Sequence, residues 1–327
     1  MIERPIFTSR TEYGTRFTDP AFWQPYVAEI CYRHGLLCTA IRAGLPGTNA
    51  VFLVDQRYAI KLYPDLFGGA FSFPAERKCY ELIAQSDGIL APRLIASGQL
   101  FDRDGGWHWP YVITSMLPGQ SLREVQDVGF EDRLALATWL GALLRHIHAL
   151  PIDDNSPLRA DWDAYTAFIS TQRANVVELQ IARNLLPEHL CLQLNQYLLR
   201  VEVLINHSNT PKLLHGDLNR DHVLGEWAGG HWQPTGVIDF GDARVGDPAY
   251  DLVALHIGLF DADKRLLQAF LRAYGEPTLA AALPQRSMAL TLLHEFSILG
   301  KLKPVLQTVA TLSELADLLW NLETPGV

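Results

Sequence analysis

The sequence predicts an α+β fold in two lobes, a small β-rich N-terminal lobe over residues 1–117 and a larger helical C-terminal lobe over residues 118–327. Three observations carry that prediction. At 327 residues the chain exceeds one small core and suits about two bodies of roughly 100 to 200 residues each. Strand-like alternation dominates before the Pro118-Gly119 turn, and helical periodicity dominates from Phe130 onward. Within the helical half, the stretch Leu213 to Tyr250 sets two acidic residues, Asp217 and Asp239, at the ends of short apolar runs.

The elements follow in order. DPAFWQPYVAEICYRH, residues 19–34, opens on a capping-type Asp19 and carries apolar residues at helical spacing. AGLPGTNAVFLVD and RYAIKLYPD read as two antiparallel strands joined by a tight turn at Asp55-Gln56-Arg57. PAERKCYELIAQ, Pro74 to Gln85, reads as a helix with proline in its first turn. Strands follow at Arg93–Gln99 and Trp109–Thr114, with Trp107 and Trp109 expected as core aromatics beneath the link to the second lobe. That lobe opens with EDRLALATWLGALLRHIHAL and continues with two long helical stretches between Asp161 and His207. Its only clear strands flank the acidic loop. After Pro248 the chain is helical through DLVALHIGLF, DKRLLQAFLRAYG, PQRSMALTLLHEFSILGKL and LSELADLLWNL. His256 and His294 are expected as core histidines with satisfied hydrogen bonds.

Composition narrows the class. The chain is 48% hydrophobic, yet no apolar run approaches the roughly 18 to 20 residues a membrane helix needs. The opening MIERPIFTSRTEYG lacks a continuous apolar core, so no signal peptide is expected and a cytoplasmic monomer is. The net charge of −9 argues against a nucleic-acid surface and suits a cationic small partner. Cys31, Cys38, Cys79 and Cys191 form no CxxC pair and read as reduced thiols.

The chemistry begins with HGDLNRDH and IDFGD. Asp217 precedes a polar loop, where its carboxylate meets an incoming hydroxyl, and Asp239 ends the strand Thr235–Ile238. One carboxylate to accept a hydroxyl proton and another to hold magnesium on nucleotide phosphates is the least that phosphoryl transfer asks of a protein. Positioning and charge neutralisation supply most of that catalysis. In the strand AIKLY, alternation sends Ala59, Lys61 and Tyr63 to one face, so the Lys61 ammonium needs an anionic partner, and Glu76 of the next helix is placed to serve. GLPGTN offers backbone amides to phosphate oxygens, with Thr48 and Asn49 as the contacts expected to phosphate or ribose. Taken singly, these are an edge lysine, a hairpin turn and two capping aspartates. In this order they read as a nucleotide site.

At these residues the chain resembles the aminoglycoside phosphotransferase family, whose fold is protein-kinase-like. Within it the chain is most similar to the hygromycin B phosphotransferases that modify the 7″-hydroxyl. The resemblance runs through DPAFWQP, WHWPYVITSMLPG, the HGDL loop, GDPAYDLVALH, LTLLHEF and ELADLLW. It implies ATP or GTP with Mg²⁺, Asp217 as base, Asp239 as metal ligand, Lys61 on the phosphates held by Glu76, and Ser115 to Leu117 as the hinge that binds the adenine edge. One position departs from the family pattern. His222 stands where the family has an asparagine that ligates a second magnesium, and imidazole suits that hard ion poorly; either His222 ligates with reduced affinity, or Asn219 or a water takes the place, or the metal count falls.

An aminocyclitol carrying several ammonium groups calls for carboxylates apart from the metal, and Asp242, Asp247 and Glu295 are the expected ones. Asp242 also lies close to the metal residue, Asp247 also suits a helix cap, and Glu295 interrupts an apolar helix face with no cationic partner in the sequence. Two rival functions use the same residues: a metabolic kinase of choline, a sugar or an amino alcohol, and a nucleotide-binding module that has lost catalysis. A protein kinase is disfavoured, because no activation segment separates DFGD from the next helix.

Overall fold

A computed structural model describes residues 2–102, 105–153, 157–275 and 283–323. The chain forms two compact units, residues 1–119 with 236–242, and residues 120–235 with 243–327. The segment 236–242, expected in the helical lobe, thus belongs to the first unit. Its ties there are specific: the Val237 amide donates to the Leu90 carbonyl, and Phe240 meets Tyr80 edge-on at 5.6 Å.

In the first unit a short helix α1 (Arg10–Gly14) precedes α2 (Pro20–Arg33), which Asp19 caps through the amides of Ala21 and Phe22 as expected. The sheet is antiparallel, in the order β1-β2-β3-β5-β4, from β1 (Ile41–Ala43), β2 (Ala50–Val54), β3 (Tyr58–Leu62), β4 (Leu94–Gln99) and β5 (Pro110–Ser115). The β2–β3 turn places Asp55 and Gln56 at φ 50° and 52°, the paired left-handed residues of a two-residue hairpin whose twist matches the strands. One face of the sheet packs Phe52, Val54, Ile60, Leu62 and Ile113 against Trp23, Val27 and Ile30 of α2. Trp109 is a core residue, as expected, but it lies against Phe7, Tyr13 and Trp23 of the N-terminal segment.

Helix α3 (Gly69–Ile83) begins five residues earlier than the sequence predicts, so Pro74 sits inside the helix and not in its first turn. A 3₁₀ turn at Asp65–Phe67 and the left-handed Gly68 start the helix upstream. Gly69 is needed there, since a Cβ would lie 2.5 Å from the Pro64 carbonyl oxygen.

The second unit opens with β6 (Gln120–Ser121) and α4 (Phe130–His148), followed by α5 (Asp163–Arg183). The second long helix expected before His207 is instead three short ones, α6 (Glu188–Cys191), α7 (Leu194–Tyr197) and α8 (Val201–Leu204). Asn184, left-handed at φ 49°, ends α5, and Pro187 restarts the chain in a new direction. Strand β7 (Lys212–Leu214) pairs with β10 (Arg244–Gly246), while β8 (Val223–Ala228) joins β6 and β9 (His231–Val237) in a separate sheet. The strand that leads to Asp239 is therefore longer than expected, and it ends at Val237, two residues short of that aspartate. It starts at His231 after a Gly229-Gly230 turn with both glycines at positive φ.

Beyond it lie α9 (Ala249–Ala254), a π-helical turn at Leu255–Leu259, and α10 (Lys264–Tyr274), which packs on α4 at Gly141. The predicted run from Pro284 to Leu302 breaks: α11 (Leu283–Leu293) stops before His294, and a 3₁₀ turn at Ile298–Leu302 leads into α12 (Lys303–Leu306). The final helix, α13 (Leu312–Trp320), carries a capping box between Thr311 and Glu314. No helix among the described residues is long and apolar enough to cross a membrane.

Candidate active site

In the first unit Lys61 does find the anionic partner that strand alternation demands. Its Nζ donates to Glu76 Oε2 at 2.6 Å and to Asp239 Oδ1 at 2.7 Å. The Lys61 and Glu76 side chains are 9% and 2% exposed, whereas that of Asp239 is 33% exposed, so the group opens to solvent through Asp239. Tyr63, on the same strand face as Lys61, donates its hydroxyl to Glu76 Oε2 at 2.6 Å, and Tyr80 donates to Oε1 at 3.2 Å. Burial alone would lower the Lys61 pKa. The Asp239 and Glu76 carboxylates outweigh it and raise the value, so the ammonium stays charged. Burial pushes Glu76 upward against the pull of Lys61.

Asp239 has φ 68°, a left-handed conformation that aspartate tolerates better than most residues. Its Oδ1 also accepts the Gly241 amide at 3.2 Å. Gly241 keeps this cradle open: a Cβ there would stand 3.1 Å from Asp239 Oδ1 and 3.3 Å from Lys61 Nζ.

Thr48 and Asn49 lie in the β1–β2 loop, with Asn49 Nδ2 donating to Thr48 Oγ1 at 3.4 Å. The Ser115 amide is taken by the Arg93 carbonyl and its hydroxyl by the Arg93 amide, and Leu117 lies beside Gly236. Asp242 closes the turn after Gly241. Magnesium takes one or two carboxylates and completes its octahedron with phosphate oxygens and waters, so it needs no protein cage. Among the described residues no three His, Cys, Asp or Glu side chains gather as such a cage. The Asp239 carboxylate, one-third exposed, fits that requirement.

In the second unit β7 runs into His215–Gly216–Asp217, and an acid the sequence reading missed holds this loop. Asp251 on α9 is fully buried; its carboxylate accepts the His215 amide at 2.8 Å, the Gly216 amide at 2.9 Å and His148 Nε2 at 3.1 Å. Tyr274 hydrogen-bonds His148 Nδ1 at 2.8 Å on the far side. Burial alone would raise the Asp251 pKa, and the bond and charge of His148, with His215 and the Gly216 amide, lower it instead. The only sequence signal was an acid amid the apolar run YDLVALH, a place where an unpaired carboxylate would be costly.

Asp217 Oδ1 accepts Asn219 Nδ2 at 3.0 Å, and Asn219 Oδ1 in turn accepts the Asp221 amide at 2.8 Å. His222 Nδ1 lies 2.6 Å from the Asp217 carbonyl oxygen. A carbonyl only accepts, so Nδ1 carries the proton and the ring braces the loop. His222, expected beside the metal, is thus tied to the Asp217 main chain through Nδ1.

Glu295 is not the unpartnered acid expected, and Asp247 holds the helix start that its alternative reading as a cap requires, with an arginine besides. Arg286 donates to Asp247 Oδ2, while Oδ1 accepts the Ala249 amide at 2.9 Å at the start of α9. Glu295 lies past the end of α11 and receives Arg244 at 2.5 Å. His294 and His256 are core histidines as read, but each is satisfied at one ring nitrogen only, His294 Nδ1 by the Phe296 amide and His256 Nε2 by the Leu319 carbonyl. Burial first of all lowers them to about 3 and about 4.

A family model described as the phosphotransferase enzyme family matches residues 39–286. Among solved structures, aminoglycoside 2′-phosphotransferase IIIa in its GDP complex superposes with a TM-score of 0.64 at 21% identity, covering 83% of this chain and 88% of that one. A GDP and kanamycin complex of a 2″-phosphotransferase gives 0.62 at 23% identity, over 82% and 88%. The fold is thus kinase-like. A curated relative, the lysine-specific demethylase JMJ21 of Arabidopsis thaliana, is 22% identical over 92% of this chain, and the chain spans 45% of that relative's length.

Proposed function

The chain belongs to the phosphotransferase enzyme family and is a phosphotransferase with an alcohol acceptor; from that premise we propose that it moves the γ-phosphate of ATP or GTP to a hydroxyl of an aminoglycoside or aminocyclitol, hygromycin B first among them. One observation carries the nucleotide half: a buried ammonium clamped between Glu76 and Asp239, a geometry that phosphate binding uses and a plain core does not need. The acceptor class is supported by the neighbours, one of which holds kanamycin with GDP, and by the sequence segments shared with hygromycin B phosphotransferases. We take the enzyme to act as a cytoplasmic monomer that binds no nucleic acid.

Each residue then has a task. Lys61 steadies the α and β phosphates, and Glu76 with the Tyr63 and Tyr80 hydroxyls keeps it aimed. Magnesium held at Asp239 would neutralise charge on the transferring phosphate. Asn219 fixes one oxygen of Asp217, and Asp217 orients the acceptor hydroxyl and takes its proton late in the transfer.

A coupled assay with ATP or GTP, magnesium and a panel of hygromycin B, kanamycin, choline and water tests this reading. Turnover with hygromycin B is expected, and turnover with choline alone would sink it. In Asp217→Ala, nucleotide affinity stays within about twofold while turnover drops about 10² to 10⁴-fold. A variant keeping more than about a tenth of the rate would remove Asp217 as the base.

A further inference from the structure

The second unit holds a pocket of about 260 Å³ whose lining residues have no task in the phosphate transfer described above. Leu122, Val128, Leu136, Phe260 and Leu266 make its walls apolar, and Arg133 and Arg220 bring two guanidinium groups to them. Both arginines donate to one oxygen, Asp261 Oδ2, Arg133 at 3.1 Å. Each also donates to a main-chain carbonyl, Arg133 to Phe260 at 3.2 Å and Arg220 to Leu259 at 3.4 Å. These bonds all run from Nη2, so among the described residues Nη1 of both side chains keeps its protons for another acceptor. Arg220 Nε is buried without a partner. Guanidinium groups this short of acceptors, set in apolar walls, call for an occupant that the chain itself does not supply.

The backbone beside the pocket is held in an uncommon shape. A π-helical turn at Leu255–Leu259 ends on the lining, and Asp261 and Ala262 follow at φ 54° and 60°. Alanine has no polar side chain to offset a left-handed conformation, and residues held in this way gather at ligand clamps and switch regions. Asp127, the second acid of the lining, is exposed, so solvent screens its charge, and the two guanidinium groups outnumber the carboxylate they share.

We infer that this pocket is an effector site for a small carboxylate with a compact apolar body, its oxygens on Arg133 and Arg220 and its body against the apolar walls. A carboxylate matches guanidinium N–H groups in charge and in geometry. A volume just under that of pockets for drug-sized ligands suits a body of one ring or one branched chain. The occupant reaches the loop of Asp217 through Arg220, three residues further on, whose carbonyl accepts the Ser121 hydroxyl at 3.0 Å and the Arg123 amide at 3.2 Å. A ligand that fixes the Arg220 side chain therefore steadies that loop. Binding here needs neither nucleotide nor acceptor, so it stands apart from the proposed aminoglycoside reading.

Ligand-observed NMR titration of the full chain tests the site with benzoate, phenylacetate and 4-methylpentanoate, each beside its uncharged amide, and with acetate. At least one of the three is expected to bind with a Kd below about 1 mM, about tenfold or more tighter than its amide and than acetate. In Arg133→Gln that binding weakens about tenfold or more, the loss of one charge-assisted hydrogen bond. Val128→Trp, which fills the pocket and leaves both arginines, abolishes it. In the wild type the bound carboxylate slows hydrogen exchange of the Asp221 and His222 amides, a comparison that needs no variant to fold. No carboxylate with a Kd below about 1 mM, or amides that bind as well, would overturn the site. So would unchanged binding in both variants, or displacement by ADP with magnesium, which would put the carboxylate on the nucleotide residues. Binding that leaves the Asp221 and His222 exchange rates unchanged would overturn the link to Asp217.

Discussion

Replacing Lys61 with methionine removes the one cation between two acids. The 2.6 and 2.7 Å bonds to one nitrogen hold the Glu76 and Asp239 oxygens within about 5.3 Å of each other. At an effective dielectric of about 20 their repulsion at that distance is about 3 kcal/mol. Removing one partner of a buried pair costs about 3 to 5 kcal/mol, and Glu76 recovers part of this by taking a proton, as its burial favours. Lys61→Met is therefore expected to lose about 3 kcal/mol. Lys61→Met/Glu76→Gln, with the buried negative charge gone as well, should lose only about 1 kcal/mol. Urea unfolding followed by the emission of Trp23 and Trp109, both in the core of the first unit, reads this cycle. Nucleotide affinity should fall in both variants, since restored stability does not restore the ammonium. A Lys61→Met loss under about 0.5 kcal/mol, or a double variant equal to the sum of its singles, would refute Lys61 as the counter-ion.

Two further expectations concern the second unit. Asparagine at 251 offers one acceptor oxygen where the carboxylate meets three donors, so Asp251→Asn should cost about 2 to 4 kcal/mol and loosen the loop before Asp217. Hydrogen exchange of the His215 and Gly216 amides should speed up while kcat drops, and amides as protected as in the wild type would contradict the role of Asp251. Stability should also fall with pH below about 6.5. The unfolded chain protonates His294 and His256 there, while the folded chain holds them neutral to about 3 and about 4. Their contribution is complete above the unfolded value and shrinks as pH falls, by up to about 1.4 kcal/mol per pH unit for each ring. Asp251 adds a loss of its own only as pH drops below 3.8 toward its lowered folded value. Urea midpoints across pH 4 to 7 measure the slope, and His256→Gln/His294→Gln should flatten it.

Where a feature depends on near neighbours in the chain, the sequence was readable. Asp19 caps α2 because its side chain reaches amides two and three residues on. Asp55 and Gln56 close the β2–β3 hairpin because two-residue turns take left-handed residues. Lys61 and Tyr63 share a face because strand side chains alternate, and both meet Glu76 as that alternation requires. Reading failed where a local rule had competition. Proline favours a first turn, but Gly68 and Gly69 started α3 earlier. Helical spacing continued past Leu293, yet the chain bends there so that Arg183 and Tyr250 can bind its backbone.

The sequence by itself determined most of the elements and the residue types in the site, namely two loop carboxylates and a strand lysine with its glutamate, because periodicity, caps and turn residues act over a few positions. Only the tertiary structure decided the partners of the buried charges: Asp239 for Lys61, Asp251 for the loop at His215, Arg244 for Glu295 and Arg286 for Asp247. Those pairings join residues from 35 to 178 positions apart. A buried charge needs whichever opposite group the folded chain brings within hydrogen-bond distance, and no local pattern in the sequence records which one that is.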